Sequence, residues 1–143
     1  MLSEQRIGEF LAALGARTPA PASGAATALT GALAAALAEL AARFAGDEEA
    51  VLKANAAVKR LVQLADEDSA AYEAFMADRN DETRARIIAV PEEIAARADE
   101  IAALAGALRE QLGSSVAGDA EVAVELAGAA GRAARRLAQL NEQ

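Results

Sequence analysis

The sequence predicts an all-α fold, an antiparallel up-and-down bundle of about five helices, and three observations carry that expectation. Alanine, the strongest helix former and a poor strand former, supplies 43 of the 143 residues. Apolar residues recur at steps of three and four over long stretches, and no run alternates apolar with polar as a strand does. The runs stop at helix-ending residues: Gly15, the pair Pro19 and Pro21, Gly46 and Gly113. Residues 1–143 fit one domain of ordinary size.

The first helix is expected over Ser3 to Leu14, with Ile7, Phe10, Leu11 and Leu14 on one face. Pro19 and Pro21 forbid a regular helix between Ala16 and Ala22. The second helix opens at Ser23, a good N-cap, and runs to Phe44 with a stripe of Leu29, Leu33, Leu37, Leu40 and Phe44. Gly24, Gly31 and Ala38 repeat every seven positions beside it, a spacing that lets another helix come close. Acids at Asp47, Glu48 and Glu49 suit the dipole of a third helix, which runs to about Asp78 through Val51, Leu61, Ala65, Tyr72, Phe75 and Met76. A fourth spans Asn80 or Asp81 to Leu112, with Pro91 inside it as a kink or a break and Ile94, Ala98, Ile101, Ala105, Leu108 and Leu112 facing inward. The fifth is expected from Asp119 to Leu140, burying Val122, Leu126, Ala129, Ala133, Leu137 and Leu140. A core this rich in alanine buries little apolar area per residue, because one methyl is worth about 0.8 kcal/mol and a leucine about 1.5–3. A homodimer through the small-residue stripe of the second helix is the expected remedy.

Composition removes several functions. With no cysteine and no histidine there are no disulfides, thiol nucleophiles, Cys or His zinc sites, or histidine-based triads. A net charge of -8 and a pI near 4.6 argue against nucleic acid as a partner, since phosphate neutralisation needs clustered cations. The stretch Thr18 to Ala38 is uncharged and long enough to span a bilayer, but its prolines, hydroxyl residues and abundant alanine read as a buried helix rather than a membrane span. The first ten residues hold Glu4 and Glu9 and lack the apolar centre of a signal peptide, so a cytoplasmic location is expected.

Three constellations could carry chemistry. The turn Thr18-Pro19-Ala20-Pro21 leading into Ser23 and Gly24 either presents helix N-terminal amides to a ligand or is a stiff connector with a serine cap. Asp68 falls on the line Leu61, Leu64, Tyr72 and Phe75, which turns its carboxylate inward. Burial raises a carboxyl pKa and fits Asp68 for proton transfer near neutrality; a structural acid bonded to a helix end is the other reading. Asp119, at the head of the last apolar stripe, is either a helix cap or a second site carboxylate. Arg132, Arg135 and Arg136 form the one dense basic cluster, either a C-terminal charge set or a contact for an anionic ligand tail.

These residues, taken together, resemble a family. Thr18-Pro19-Ala20-Pro21, then Ser23-Gly24-Ala25-Ala26 and an alanine-leucine helix, is similar to the Thr-Pro-x-Pro-Gly-Gly-Gly-Ser opening of the formimidoyltetrahydrofolate cyclodeaminase / methenyltetrahydrofolate cyclohydrolase family. Asp68-Ser69-Ala70-Ala71-Tyr72, Val90-Pro91-Glu92-Glu93-Ile94-Ala95 and Gly118-Asp119-Ala120 resemble that family's later segments, in order. The resemblance implies an all-helical homodimer acting on a tetrahydrofolate derivative, with no metal or redox cofactor. It implies Asp68 as the proton carrier, Asp119 as a second catalytic candidate, and Thr18, Pro19, Pro21, Ser23 and Gly24 as the substrate-binding turn. Ala22-Ser23-Gly24 stands where the family has three glycines, and no lysine lies between Met76 and Asp81, where the family carries one. Two functions therefore stand: a folate cyclodeaminase or cyclohydrolase, or a non-catalytic bundle that kept the fold as a binding or assembly module.

Overall fold

The computed structural model describes all 143 residues and contains helices and connecting turns but no strand. A 3-10 turn at Leu2–Glu4 precedes α1 (Ile7–Gly15), α2 (Ser23–Ala45), α3 (Glu48–Ala77), α4 (Asp81–Gln111) and α5 (Ser114–Glu142). The last four form an antiparallel bundle in which α2 packs on α3 and α5, and α4 closes against α5. The expected all-α bundle of five helices is therefore what the chain adopts.

Local chemistry sets most helix ends. Gly46 ends α2 in the left-handed region at φ 71°, where a Cβ would be strained, and its amide donates to Ala42 and Arg43 carbonyls. Asp47 caps α3 by accepting from the Ala50 amide at 3.0 Å. Asn80 and Thr83 cap α4 reciprocally, each side chain accepting from the other's backbone amide. α5 starts at Ser114 rather than near Asp119, and α1 starts at Ile7 rather than Ser3. Ser23 is the first helical residue of α2 and not its cap; Ala22 occupies that position, and no side chain caps the helix.

The faces correct the sequence expectation more than the boundaries do. The large fully buried side chains all come from α3 and α4: Leu61, Leu64, Pro91, Ile94, Ile101 and Leu108. Opposite them α2 and α5 present flat surfaces of alanine and glycine, from Gly24 to Ala42 and from Ala120 to Ala138. The expected leucine stripe of α2 instead faces outward, with Leu33 63% and Phe44 65% exposed. In α5 the expected inward residues Val122 and Leu140 are likewise exposed, and alanines at 123, 127, 130 and 134 are buried. The small-residue stripe packs within the chain: a Cβ on Gly31 would lie 3.3 Å from both Leu61 methyls. α1 buries no residue, and Ile7 is 80% exposed. α2 is long and apolar enough to cross a membrane, with mean hydropathy 1.5, and 56% of that stretch is buried inside the bundle.

Two ion-pair clamps cross the bundle. Arg60 of α3 holds Glu67 on its own helix and Glu93 of α4, at 2.7 and 2.6 Å. Arg135 of α5 grips both carboxylate oxygens of Asp99 on α4, which engages the centre of the basic cluster.

Candidate functional site

The amides of the first turn of α2 have no helical acceptor, and no side chain caps them. Gly24 lies in that turn, and α3 passes so close that any Cβ at position 24 would collide with the Asp68 carboxyl group. Only glycine permits this approach. A pocket of about 180 Å³ is built around the contact. Pro19, Ala20, Ala22 and Ser23 form one wall, Asp68, Ser69 and Tyr72 of α3 the second. Ile87 and Pro91 of α4, with Leu137 and Asn141 of α5, complete it.

Asp68 is the only charged residue lining this space. No protein group donates a hydrogen bond to its carboxylate, and burial pushes its pKa from the ordinary 3.8 to about 6. The carboxyl group thus exchanges its proton close to neutral pH, which a solvated aspartate does not. Next to it, the buried Ser69 hydroxyl oxygen has no hydrogen-bond partner.

A second feature follows from Pro91. Proline has no amide hydrogen, so the carbonyl of Ile87, four residues earlier, loses its helical donor. Ile87 and Pro91 are both buried, and an unpaired buried carbonyl is costly. Asn141, near the end of α5, supplies the missing donor: its Nδ2 reaches the Ile87 oxygen at 2.7 Å.

The pocket gathers Pro19, Ser23, Gly24 and Asp68, four of the expected residues. Pro21, which follows a cis peptide bond, lines a neighbouring shallow cleft with Asp66 and Ser69 instead. Thr18 is exposed, and its hydroxyl donates to the Ala20 carbonyl at 3.4 Å, stiffening the turn without entering the pocket. Asp119 does not join the site. Because α5 starts at Ser114, Asp119 sits at the opposite end of the bundle, roughly 27 Å along the helix from Leu137 at about 1.5 Å per residue. It does not cap α5 either: Gly113 holds that position, and no side chain bonds there. The sequence reading did not place Ser69, Ile87, Pro91 or Asn141 at the site; an asparagine one helix-length away gives no local signal.

A larger groove of about 660 Å³ lies between α3 and α4, lined by Lys53, Arg60, Arg97 and Glu100. Its cations are already answered: Lys53 by Glu49, Arg60 by Glu67 and Glu93, and Arg97 by Glu100. Within it the buried Arg97 Nε has no hydrogen-bond partner, while the guanidinium charge itself faces Glu100 at 3.2 Å.

A sequence profile described as formiminotransferase-cyclodeaminase matches residues 6–143, almost the whole chain. The chain belongs to the formiminotransferase-cyclodeaminase family. A solved structure agrees in fold: formiminotetrahydrofolate cyclodeaminase from Thermotoga maritima superposes with a TM-score of 0.93 at 23% identity, covering 99% of this chain and 80% of that one. Comparison with curated proteins returned no match. Within this cyclodeaminase-type bundle, the first turn of α2 and the Asp68 segment of α3 are the residues that carried the sequence resemblance, and they are the ones that meet in the pocket.

Proposed function

We propose that this protein is a folate one-carbon enzyme of cyclodeaminase or cyclohydrolase type, and that Asp68 carries the proton. One observation supports this reading above the rest: a single half-buried carboxyl group, titrating at about 6, pressed against the uncapped first turn of α2 in a pocket that holds no cation. Such a pocket attracts a cationic or donor-bearing group and repels an anionic one. A protonated formimino group and a methenyl bridge are both of the attractive kind.

In ring closure, N10 of the folate attacks the formimino carbon as the N10 proton leaves. The ionised Asp68 takes that proton and returns it to the amino nitrogen of the tetrahedral adduct. Ammonia departs, and the methenyl bridge retains the positive charge. The proton lost by N10 is therefore the one carried off on ammonia, and Asp68 is regenerated. In the hydrolytic direction the same carboxylate would take a proton from water attacking the methenyl carbon. The first-turn amides of α2 and the Pro19 and Ser23 side of the turn hold the ligand; no metal or redox cofactor enters this scheme. About 180 Å³ is small against the roughly 300–1,000 Å³ usual for drug-sized ligands, so only the reacting end of a folate enters, its remainder lying outside. The location proposed is the cytoplasm, as a homodimer, with neither nucleic acid nor membrane as partner.

A non-catalytic binding or assembly module on the same fold is the second reading, favoured by alanine and serine at positions 22 and 23 and by the absence of lysine between Met76 and Asp81. The deciding experiment supplies 5-formiminotetrahydrofolate and follows methenyl absorbance and ammonia release together. Turnover that Asp68→Asn abolishes supports the enzyme; a folate-induced rise in melting temperature without turnover supports the module.

A further inference from the structure

Pro91 and Asn141 together fix the orientation of an amide that the reaction scheme above does not use. A side-chain amide has one donor end and one acceptor end, and either could in principle face a pocket. Here the choice is forced. The Ile87 carbonyl can only accept, so the Nδ2 end must face it, and the 2.7 Å contact holds it there. The Oδ1 end is then left as the free acceptor, and no protein donor reaches it, since the bond to Ile87 is the one hydrogen bond the Asn141 side chain makes within the protein. Asn141 also lines the same pocket as Asp68, from the α5 side.

We propose that Asn141 is a specificity-determining residue whose Oδ1, locked by the proline-freed carbonyl of Ile87, accepts a hydrogen bond from an N–H of the bound ligand. The class of ligand group it reads is a nitrogen donor of amidine or aminopyrimidine type. The acceptors of the pocket then lie on α3 and α5, and the donors lie on the first turn of α2. A ligand with N–H on one edge and an acceptor on the other fits, whereas one with oxygen acceptors alone leaves Oδ1 unpaired. Removing such a pairing at a half-buried side chain is worth about ten-fold in affinity. As applied to a folate, this rests on the reading of the site given above.

The test must separate reading a ligand from merely tying α5 to α4. Pro91→Ala restores an amide hydrogen at position 91, giving Ile87 its helical partner so that stability no longer depends on the tie, while the second lone pair of the Ile87 oxygen still accepts from Nδ2 and keeps the amide oriented. In that background Asn141→Ala is expected to leave the melting temperature unchanged while weakening binding about ten-fold. Binding is measured with two probes: tetrahydrofolate by calorimetry, and acetamidinium, which carries the donor but no folate, by NMR titration. If Pro91→Ala does not fold, Asn141→Asp and Asn141→Ala are compared in the parent. Both lose the donor to Ile87, but only Asp keeps an acceptor oxygen, so Asp is expected to retain the tighter binding. Equal affinities for both probes with and without the Asn141 amide overturn the proposal. Binding of acetamidinium but not tetrahydrofolate, lost on Asn141→Ala, would sustain Asn141 while removing the folate reading. A parent that binds neither probe refutes both.

Discussion

At the residue scale, the pocket rests on one carboxylate and one glycine, and each has a measurable consequence. Burial holds the Asp68 proton more tightly in the folded protein than in the unfolded chain, so between 3.8 and about 6 the native state binds more protons. Stability from this group is therefore undiminished below 3.8 and falls as pH rises through about 6, where a charge must be kept buried. Asp68→Asn removes that charge and should raise the melting temperature above pH 6, with the gain vanishing below 3.8. Folate turnover should fall by roughly 100- to 10,000-fold in the same variant, and the parent rate should climb with pH through about 6 if the ionised form accepts the proton. A variant that gains stability and keeps its rate would remove Asp68 from the chemistry. Gly24→Ala gives the companion experiment. Alanine favours a helix by about 1 kcal/mol over glycine, yet its Cβ would collide with the Asp68 carboxyl group. We expect lower stability, and a rate lowered by the displaced carboxylate; a stabilised, fully active Gly24→Ala protein would contradict the close approach. Asp68 and Gly24 were legible in the sequence because both lie on short local patterns. Asn141 was not, since its importance comes from the amide hydrogen that a proline on another helix lacks.

At the element scale, the sequence located every helix end to within two residues except the starts of α1 and α5, and misassigned the inward faces of α2 and α5. Gly46, Asp47 and Asn80 act within one turn, so local chemistry located the end of α2 and the starts of α3 and α4. Inward faces were read correctly for α4, where isoleucine and leucine stand against charged neighbours. In α2 and α5 the reading put the leucines inside, because larger apolar side chains bury more area. The bundle does the opposite. Alanine and glycine on α2 and α5 let these helices lie close to α3 and α4, whose leucines and isoleucines fill the narrow space between. In a chain so rich in alanine both faces of a helix are apolar, and periodicity alone does not choose between them. Gly31 tests the arrangement. A Cβ there would sit 3.3 Å from Leu61, so alanine asks for a small shift and leucine for a large one. Gly31→Leu should lower stability by about 1–3 kcal/mol in chemical denaturation, and trimming Leu61 to alanine in the same chain should return part of it. A Gly31→Leu protein as stable as the parent would mean that α2 does not lie against Leu61.

At the scale of the whole molecule, the inversion of α2 leaves an apolar surface that a single chain does not cover. Leu33, Leu40 and Phe44 are exposed at spacings of seven and four, and Leu29 and Leu37 are half-buried along the same edge. Exposed leucines scattered singly are ordinary, whereas a row along one helix edge is the usual mark of an interaction surface. The expected homodimer therefore moves from the small-residue stripe, which the chain itself occupies, to this leucine edge. The magnitudes are compatible with association. Three large side chains from each of two copies, at about 1.5–3 kcal/mol per fully buried residue, are comparable with the roughly 4–15 kcal/mol that association costs. The protein is expected to sediment at twice 14.6 kDa, and Leu33→Glu, which places a charge in the middle of the edge, should yield a folded species of 14.6 kDa. Circular dichroism separates loss of pairing from loss of fold, because Leu33 makes little contribution to the bundle interior. A parent that sediments as a monomer would refute the dimer outright. A dimer that survives Leu33→Glu would place its interface elsewhere, with the exposed Ile7 and Leu11 edge of α1 as the next surface to charge.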